Sequence, residues 1–273
     1  MCLARRPPLL LLQRPHRPLS PGEPVEEIVT DLPGRGDHQL SPPTFGPDGK
    51  LYFSTGSATN CGVVGADNIA YEWLRNPALH DVCDIPGTDV VLTGRNYESQ
   101  DVTGKLRDKV CTGAFVPFGT ETEAGQVIPG RTKCTTGVLR CDPDGSNVEL
   151  LAWGLRNAFG LQHHPDGRLF ATEHGIDERS ARFIVGDPDD FYEVTPGPGT
   201  ATPTSILPHN GFERPVDCRF GPHGSLYVVD WARWCPHRSE VVWRFAWARA
   251  CGGVSGGRRQ ITVSCRPSLW SCR

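Results

Sequence analysis

The chain has 273 residues, 38% of them hydrophobic and 22% charged, a composition typical of a folded globular protein and against intrinsic disorder. The net charge of -3 is uneven, because residues 241–273 carry six Arg and no Lys, Asp or Glu, which leaves -9 on the rest. The negative charge of the chain before residue 241 argues against nucleic acid as the main partner, since phosphate binding needs Lys and Arg clustered on a folded face. No apolar stretch is long enough to predict a membrane span.

The first 33 residues form a separate N-terminal segment. Its apolar run, Leu9 to Leu12, is interrupted on both sides by Pro or polar residues and is shorter than the core of a secretory signal. We therefore predict no signal peptide in this chain. The eleven cysteines suit an oxidising compartment, and their odd number leaves at least one unpaired within the chain.

A repeated turn-strand pattern begins after this segment. It reads FGPDGKLYFSTG at 45–56, HHPDGRLFATEHG at 163–175 and FGPHGSLYVVDW at 220–231, with a partial copy, CDPDGSNVELLAWG, at 141–154. Asp-Gly or His-Gly supplies the positive-φ position of a hairpin turn, and the apolar run that follows is short enough to be a buried strand. With 31 Gly and 25 Pro in the chain, the pattern predicts an all-β fold.

The spacing of the copies predicts an insertion in a β-propeller. Gly49 and Gly167 are 118 residues apart, and residues 60–136 lack the pattern. Removing them leaves a spacing of 41, close to the roughly 40–45 residues of one four-stranded blade. We predict a propeller domain over 34–240 with an insertion at 60–136. Residues 37–240 without the insertion supply about three blades, so we expect an incomplete propeller.

Two further segments complete the domain prediction. The insertion holds an even set of cysteines that could close two disulfides, and their spacing lacks the close pair of a zinc ribbon: Cys61, Cys83, Cys111 and Cys134. Residues 241–273, with Gly-rich and Arg-rich stretches, are predicted to be a disordered basic tail, and either a truncated or frame-shifted gene or a natural divergent end would produce such a sequence.

Four motifs stand out within and beside the repeated pattern: DHQ at 37–39 before FGPDGKLYF, GVLRCDPDGS at 137–146, AWGLRNAFGL at 152–161 and PDGRLFATEHG at 165–175. Together they resemble the soluble glucose/sorbosone dehydrogenases that depend on pyrroloquinoline quinone (PQQ). The resemblance runs from about residue 34 to 194 and resumes loosely at 214–231. It implies a partial β-propeller related to a six-bladed one, PQQ and calcium as cofactors, and a periplasmic or secreted location.

The resemblance assigns the catalytic role to the Asp-His-Gln triplet. His38 matches the base that takes the proton of the sugar hydroxyl while hydride passes to the quinone. A neutral imidazole suits this step, and the carboxylate of Asp37 could orient the ring and stabilise its charged form. Gln39 completes the triplet. The alternative is that His38 is a polar residue at the entrance to a hairpin.

Two further pairs match cofactor-binding positions of the family. Arg156 and Asn157 match residues that contact PQQ, and a guanidinium suits the negative charge that grows on the quinone. The alternative is an Arg packed on Trp153 beside a loop Asn. Gly175 and Ile176 fall where the family presents backbone carbonyls to calcium, although Gly-Pro is common there and Gly-Ile stands here.

Other polar clusters are interpreted as structural. An acidic run lacks the spacing of a calcium loop and is predicted to be solvated: Asp187, Asp189, Asp190 and Glu193. Adjacent His163 and His164 point to opposite faces of a strand, so together with His174 they are treated as structural.

The sequence therefore predicts a PQQ-dependent oxidoreductase that oxidises an aldose or related sugar and passes electrons to an external acceptor. Two alternatives remain open. One is a non-catalytic propeller that binds a protein or glycan through the insertion, and the other is a calcium-dependent hydrolase of the lactonase type. The aromatic and basic motifs expected downstream of residue 197 to clasp PQQ are absent.

Overall fold

The computed structural model describes residues 27–69, 73–104, 108–195 and 214–220, and five strands outside those ranges. The strands, in chain order, are β1 (Leu10–Leu11), β2 (Glu27–Val29), β3 (Thr44–Phe45), β4 (Leu51–Ser54), β5 (Val90–Thr93), β6 (Tyr97–Gln100), β7 (Lys109–Thr112), β8 (Ala124–Ile128), β9 (Gly137–Cys141), β10 (Glu149–Trp153), β11 (Ala158–His163), β12 (Leu169–Glu173), β13 (Asp190–Thr195), β14 (Thr202–Ser205), β15 (Pro215–Phe220), β16 (Leu226–Trp231), β17 (Trp243–Ala250) and β18 (Ile261–Arg266). The helices of the described residues are short 3-10 helices at Ala66–Ile69, Trp73–Arg75 and Pro77–Leu79. None of them has the length and apolar character needed to cross a membrane.

Three four-stranded antiparallel sheets form the body of the fold. The first sheet contains β3, β4, β9 and β10, the second contains β11 to β14, and the third contains β15 to β18. Within each sheet, strands that follow one another in this order are hydrogen-bonded neighbours. This is the arrangement of propeller blades. The sheets do not close into a ring, so the prediction of an all-β, incomplete propeller is confirmed.

The repeated Gly positions form the predicted turns. Gly49 joins β3 to β4 at φ +75°, Gly145 joins β9 to β10 at φ +84°, and Gly167 joins β11 to β12 at φ +93°. Side chains with a Cβ rarely adopt these angles, which explains the Asp-Gly turns of the pattern. The fourth predicted turn, at Gly224, lies outside the described residues.

Apolar side chains fill the spaces between the sheets. Leu151, Leu161 and Leu169 belong to a core that joins the first and second sheets. Phe170, Phe191, Cys218, Leu226 and Val228 form the core between the second and third sheets. The other face of the first sheet is covered by residues 28–32, where Val29 and Leu32 pack on three buried side chains of the sheet, namely Leu51, Phe53 and Leu139. Burial on both faces accounts for the continuous apolar runs of the repeated pattern.

The chain between β4 and β9 corresponds to the predicted insertion. It forms two small antiparallel pairs, β5 with β8 and β6 with β7, and a cluster around Val64, Trp73 and Leu74. The amide of Thr55 donates a hydrogen bond to the carbonyl of Gly137 (2.9 Å), so the two ends of the insertion meet beside the first sheet. The domain limits themselves stay a prediction.

Two predictions about these segments differ from the structure. The four cysteines of the insertion are unbonded thiols, so the two disulfides are not formed. In the segment predicted to be a disordered tail, Trp243–Ala250 and Ile261–Arg266 form β17 and β18 of the third sheet. The physical reason is their composition, because alternating aromatic and β-branched residues favour strands even without the turn motif of the other blades.

The topology brings the predicted site residues to one end of the first two sheets. Neighbouring strands are antiparallel, so the start of β3, the end of β4, the end of β10, the start of β11 and the end of β12 share an end. The loops at this end are 37–43, 55–61, 154–157 and 174–189. They hold every residue that the resemblance assigns to the site.

Candidate functional site

His38 is held by the loop that follows β4. Its Nδ1 lies 2.9 Å from the carbonyl oxygen of Ser57 and 3.0 Å from the hydroxyl of the same residue. A carbonyl oxygen can only accept, so Nδ1 carries the ring proton and donates it to Ser57. The lone pair is therefore on Nε2, which has no hydrogen-bond partner among the described residues. This tautomer is the one that a general base on Nε2 requires.

The surroundings of His38 favour the neutral ring. Burial, together with the nearby positive charge of Arg156, lowers the pKa of His38 from 6.5 to about 4. The negative charge of Asp37 acts in the opposite direction and is outweighed. His38 is therefore an uncharged proton acceptor over the neutral pH range.

Asp37 does not orient the His38 ring, contrary to the role predicted from the sequence. Its side chain is fully buried and accepts hydrogen bonds from Asn68 Nδ2 (3.0 Å), Trp73 Nε1 (2.8 Å) and Arg179 Nη2 (2.8 Å). Asn68 and Trp73 belong to the insertion. Through these bonds Asp37 attaches the insertion to the site. Its oxygens are already hydrogen-bonded, so they do not orient the imidazole of His38.

Gln39 contributes its backbone to the site. Its carbonyl accepts a hydrogen bond from the amide of Gly56 (3.2 Å), while the residue as a whole is exposed. Within the described part of the chain its side chain makes no hydrogen bond. A catalytic role for the Gln39 side chain stays a prediction.

Arg156 is buried, with 8% of its side chain exposed, and its five N–H groups all have acceptors within the protein. Nε donates to the carbonyl of Asn60 (3.0 Å), and Nη1 donates to the carbonyls of His174 (3.3 Å) and Gly175 (2.6 Å). Nη2 donates to Oδ1 of Asn60 (2.8 Å) and to Asp177 (2.9 Å). The guanidinium therefore joins the insertion to the loop after β12, and it offers charge but no uncommitted N–H to a ligand.

Asn157 follows Arg156 and is nearly buried. Its backbone amide donates to Oε1 of Glu173 (3.1 Å), and its Nδ2 lies 3.3 Å from Nδ1 of His174. Nε2 of His174 donates to the carbonyl of Pro215 (3.1 Å), which leaves Nδ1 as the acceptor for Asn157. His174 also stacks on Phe159 with ring centroids 5.3 Å apart. This histidine, interpreted as structural from the sequence, thus orients a predicted site residue.

Two site residues escaped the sequence analysis. Gly56 lies between His38 and Asn157: a methyl group built on it would overlap Cβ of His38 and lie 3.1 Å from Oδ1 of Asn157. Glu173 is buried behind Asn157, and its Oε2 has no hydrogen-bond partner. Gly56 carries a signal in the sequence, since it ends the repeated motif at 45–56, whereas nothing local distinguishes Glu173 from a solvent-facing strand residue.

Gly175 and Ile176 present their amides to the acidic run. The amide of Gly175 donates to Oδ1 of Asp189 (2.9 Å) and that of Ile176 donates to Oδ2 of Asp187 (2.7 Å). The side chain of Asp189 is only 8% exposed and Asp190 is buried. The prediction of a solvated acidic loop is therefore wrong for Asp189, which accepts from the amide of Gly175 and binds Arg214, and for the buried Asp190, whereas Asp187 is exposed as predicted.

The arrangement does not fit a calcium ion at Gly175. Its carbonyl oxygen, the predicted ligand, faces the positive charge of Arg156 at 2.6 Å. The carboxylates of Asp187 and Asp189 bind the amides of the same loop, that of Asp177 binds Arg156, and the described residues contain no group of three or more His, Cys, Asp or Glu placed to hold a metal ion. A hard cation needs several oxygen ligands directed to one point, and these oxygens are already used by Arg156 and by backbone amides.

Comparison with known proteins bears on the quinone assignment. No family model matches the chain. A curated protein, quinoprotein glucose dehydrogenase B of Acinetobacter calcoaceticus, is 28% identical over 149 residues, which is 55% of this chain and 24% of that protein. The chain is similar to a quinoprotein dehydrogenase. It spans about a quarter of the length of this relative, and the similarity supports the predicted resemblance at the level of the family.

The described residues fit a quinone in part. Asn157 has a carboxamide oxygen without a hydrogen-bond partner and His38 has an unpaired Nε2, so these two groups could face a planar polar ligand. Arg156 could act on it only through its charge, since its donors are used. The roles that the sequence resemblance predicts are compatible with these contacts at Asn157 and His38, but a guanidinium clamp by Arg156 is not.

Proposed function

We propose that the chain carries the proton-accepting half of a PQQ-dependent sugar oxidoreductase site. The observation that carries the proposal is the fixed tautomer of His38, whose Nδ1 donates to Ser57 and whose Nε2 is left as an acceptor. The similarity to a quinoprotein glucose dehydrogenase supports the cofactor and the aldose as substrate class. An oxidising partner that re-oxidises the cofactor is part of the proposal.

The chain's own residues act in the following way. His38 Nε2 accepts the proton of a sugar hydroxyl, and the imidazolium that forms keeps its Nδ1 bond to Ser57. Asn157 orients the cofactor face through its carboxamide, and the buried charge of Arg156 favours negative charge nearby. When bound, PQQ supplies the two-electron acceptor.

A low pKa limits His38 as a base. Proton-transfer efficiency falls when the pKa of the base lies far below the working pH. A substrate or cofactor carboxylate beside the ring would raise the pKa of His38 and improve the transfer, because an opposite charge stabilises the imidazolium. The anionic carboxylates of PQQ have this property.

The experiment is reconstitution of the purified chain with PQQ, first without and then with calcium, followed by dye-linked oxidation of glucose. We expect activity that falls at least 100-fold in His38→Gln and is unchanged in His80→Gln, a histidine that bonds to Leu74 in the insertion. Fluorescence titration with PQQ measures binding separately. Equal activity in the wild type and in His38→Gln would overturn the catalytic assignment.

One observation favours a second function, a non-catalytic binding propeller. All five donors of Arg156 are used within the protein, which suits a structural role better than a cofactor clamp. A chain of this kind would give no fluorescence change with PQQ at any concentration. The titration above therefore discriminates between the two functions.

A further inference from the structure

A cavity formed by described residues lies away from the candidate site. It has a volume of about 550 Å³ and is formed by residues 31–35, 81–86, 115, 128, 129, 131 and 135. Its walls therefore come from the chain between β2 and β3 and from the insertion. The volume is within the range typical of small-molecule sites, about 300–1,000 Å³. None of the residues assigned to the quinone site lines it.

Two lining residues have an uncommon backbone conformation. Asp31 has φ +57° and Phe115 has φ +58°, and only five non-glycine residues of the described chain have a positive φ. For a bulky residue such as Phe this conformation is strained, and strain of this kind concentrates at binding and catalytic sites. The strain at Phe115 is maintained by contacts on both sides, because its amide donates to the carbonyl of Gly62 (2.9 Å) and its ring lies 6.3 Å from that of Trp153.

Charged side chains of both signs surround the cavity and are exposed: Asp31, Arg35, Asp81 and Arg131. Within the described ranges, the side chains of Arg35, Asp81 and Arg131 make no hydrogen bond or ion pair. The carboxylate of Asp31 accepts one long bond, from the hydroxyl of Thr30 (3.3 Å). Three of these four charged groups therefore stand at the cavity without a hydrogen-bond or ion-pair partner in the described part of the chain.

The exposed charges restrict the class of ligand, since the third acid of the lining, Asp84, is buried and its oxygens accept bonds from Ala58 and Thr59. An anion would be opposed by Asp31 and Asp81, and a cation would be opposed by Arg35 and Arg131. A hydroxyl group both donates and accepts, so a molecule with several hydroxyls can satisfy carboxylates and guanidiniums together. An aromatic ring at the wall adds an apolar platform for a ring-shaped ligand.

We propose that this cavity binds a neutral polyhydroxylated ring compound, a mono- or disaccharide, with one face against Phe115 and its hydroxyls on the charged rim. The site is separate from His38 and does not depend on the proposed oxidation. The two sites are nevertheless physically connected. Asp84 lines the cavity and accepts hydrogen bonds from the amides of Ala58 (2.7 Å) and Thr59 (3.2 Å), next to the Ser57 that holds His38.

The test uses methyl glucoside and maltose as probes with protein free of PQQ. Methyl glucoside has no free anomeric hydroxyl, so its binding is not turnover at that position. Binding is followed by saturation-transfer NMR and by calorimetry on the full chain. We expect saturable binding with a dissociation constant in the millimolar range for at least one probe, weakened about 10-fold in Arg131→Gln and in Phe115→Gly.

Phe115→Gly removes the ring and also relieves the positive φ, so loss of binding in this variant is not a consequence of backbone strain. Asn147→Gly is its matched control, because Asn147 has φ +53° in an exposed turn and lines no part of the cavity. His38→Gln should bind the probes as the wild type does.

Three results would overturn the proposal. The first is the absence of saturable binding by either sugar. The second is binding that is lost in His38→Gln but kept in Phe115→Gly, which would place the sugar at the candidate quinone site. The third is preference for a charged probe, such as benzoate or benzylamine, over both sugars, which would contradict the neutral class.

Discussion

At the scale of single residues, the site depends on how closely side chains approach one another. His38 and Asn157 are brought together across Gly56, a position that tolerates only a hydrogen atom. His38 in turn is oriented by a backbone carbonyl and not by the neighbouring carboxylate. The contacts of His38 with Gly56, Asn157 and Ser57 join residues that are distant in sequence or lack a distinctive side chain, so the sequence alone does not predict them.

A Gly56→Ala substitution should separate His38 from Asn157. The added methyl would overlap Cβ of His38, which is not a flexible chain end, so the ring has to move. We expect PQQ-dependent activity to fall about 10- to 100-fold with a smaller loss of stability. Gly104→Ala is the control, because a methyl there meets only the exposed side chain of Asp101. Equal activity in both variants would show that the approach of His38 to Asn157 is irrelevant.

The low pKa of His38 predicts a pH dependence of stability. The unfolded state binds a proton near pH 6.5 and the folded state near pH 4, so stability is intact above pH 6.5 and is lost as the pH falls between these values. The full effect corresponds to about 3 kcal/mol as an upper limit. His38→Gln should remove this part of the acid sensitivity in urea unfolding.

The same titration can be observed directly. The Cε1 proton resonance of His38, assigned by its absence in His38→Gln, should shift with a midpoint near pH 4. A midpoint close to 6.5 would mean that burial and Arg156 do not act on the ring as described.

At the scale of secondary-structure elements, the hairpin turns could be predicted from the sequence, whereas the last two strands and the contacts of the acidic loop could not. The Asp-Gly turns at Gly49, Gly145 and Gly167 follow from a local rule about positive φ, and each joins two strands as expected. The strands β17 and β18 lack that turn and were missed, since their signal is only alternation of strand-forming residues. The acidic run was misread because its partners, the amides of Gly175 and Ile176, are not distinguishable in a sequence.

The end of β12 contains a buried acid that can be tested. Burial raises the pKa of Glu173 to about 8, from 4.5 in the unfolded chain. Folding is therefore favoured by protonation, and this stability is present below pH 4.5 and lost as the pH rises through 8. We expect Glu173→Gln, which cannot ionise, to be more stable than the wild type at pH 8 by an amount on the order of 2 kcal/mol.

The comparison at two pH values separates this effect from packing. At pH 4.5 the wild-type carboxyl is already protonated, so thermal unfolding should give the two proteins similar midpoints. A constant difference at both pH values would indicate that the substitution acts through shape or hydrogen bonding instead.

At the scale of the whole molecule, ion pairs between distant segments join the insertion to the sheets. Arg179 donates to Asp37 (2.8 Å) and to Asp67 of the insertion (2.6 Å), residues 142 and 112 positions away. Arg156 reaches Asn60 across 96 positions. The number of blades could be deduced from repeat spacing, but pairings over such separations leave no periodicity in the sequence and could not be predicted.

Arg179→Ala should loosen this junction. It removes the cation from two largely buried carboxylates, and uncompensated buried charges of this kind cost about 3 kcal/mol or more. We expect lower stability in urea and faster cleavage of the insertion by trypsin. Arg219→Ala is the control, since its ion pair with Asp217 is exposed and contributes little. If both variants unfold at the same urea concentration, the junction does not depend on Arg179.

The hydrogen bond between Thr55 and Gly137 closes the base of the insertion beside the first sheet. A segment whose two ends already meet can be lengthened, shortened or exchanged during evolution without changing the register of the blade that carries it. The exchange has a condition, because a replacement must still provide partners for the buried groups of Asp37 and Arg156. We therefore expect homologous chains to differ widely in this segment while keeping a few polar positions at its root, and an engineered graft to succeed only if it keeps the same positions.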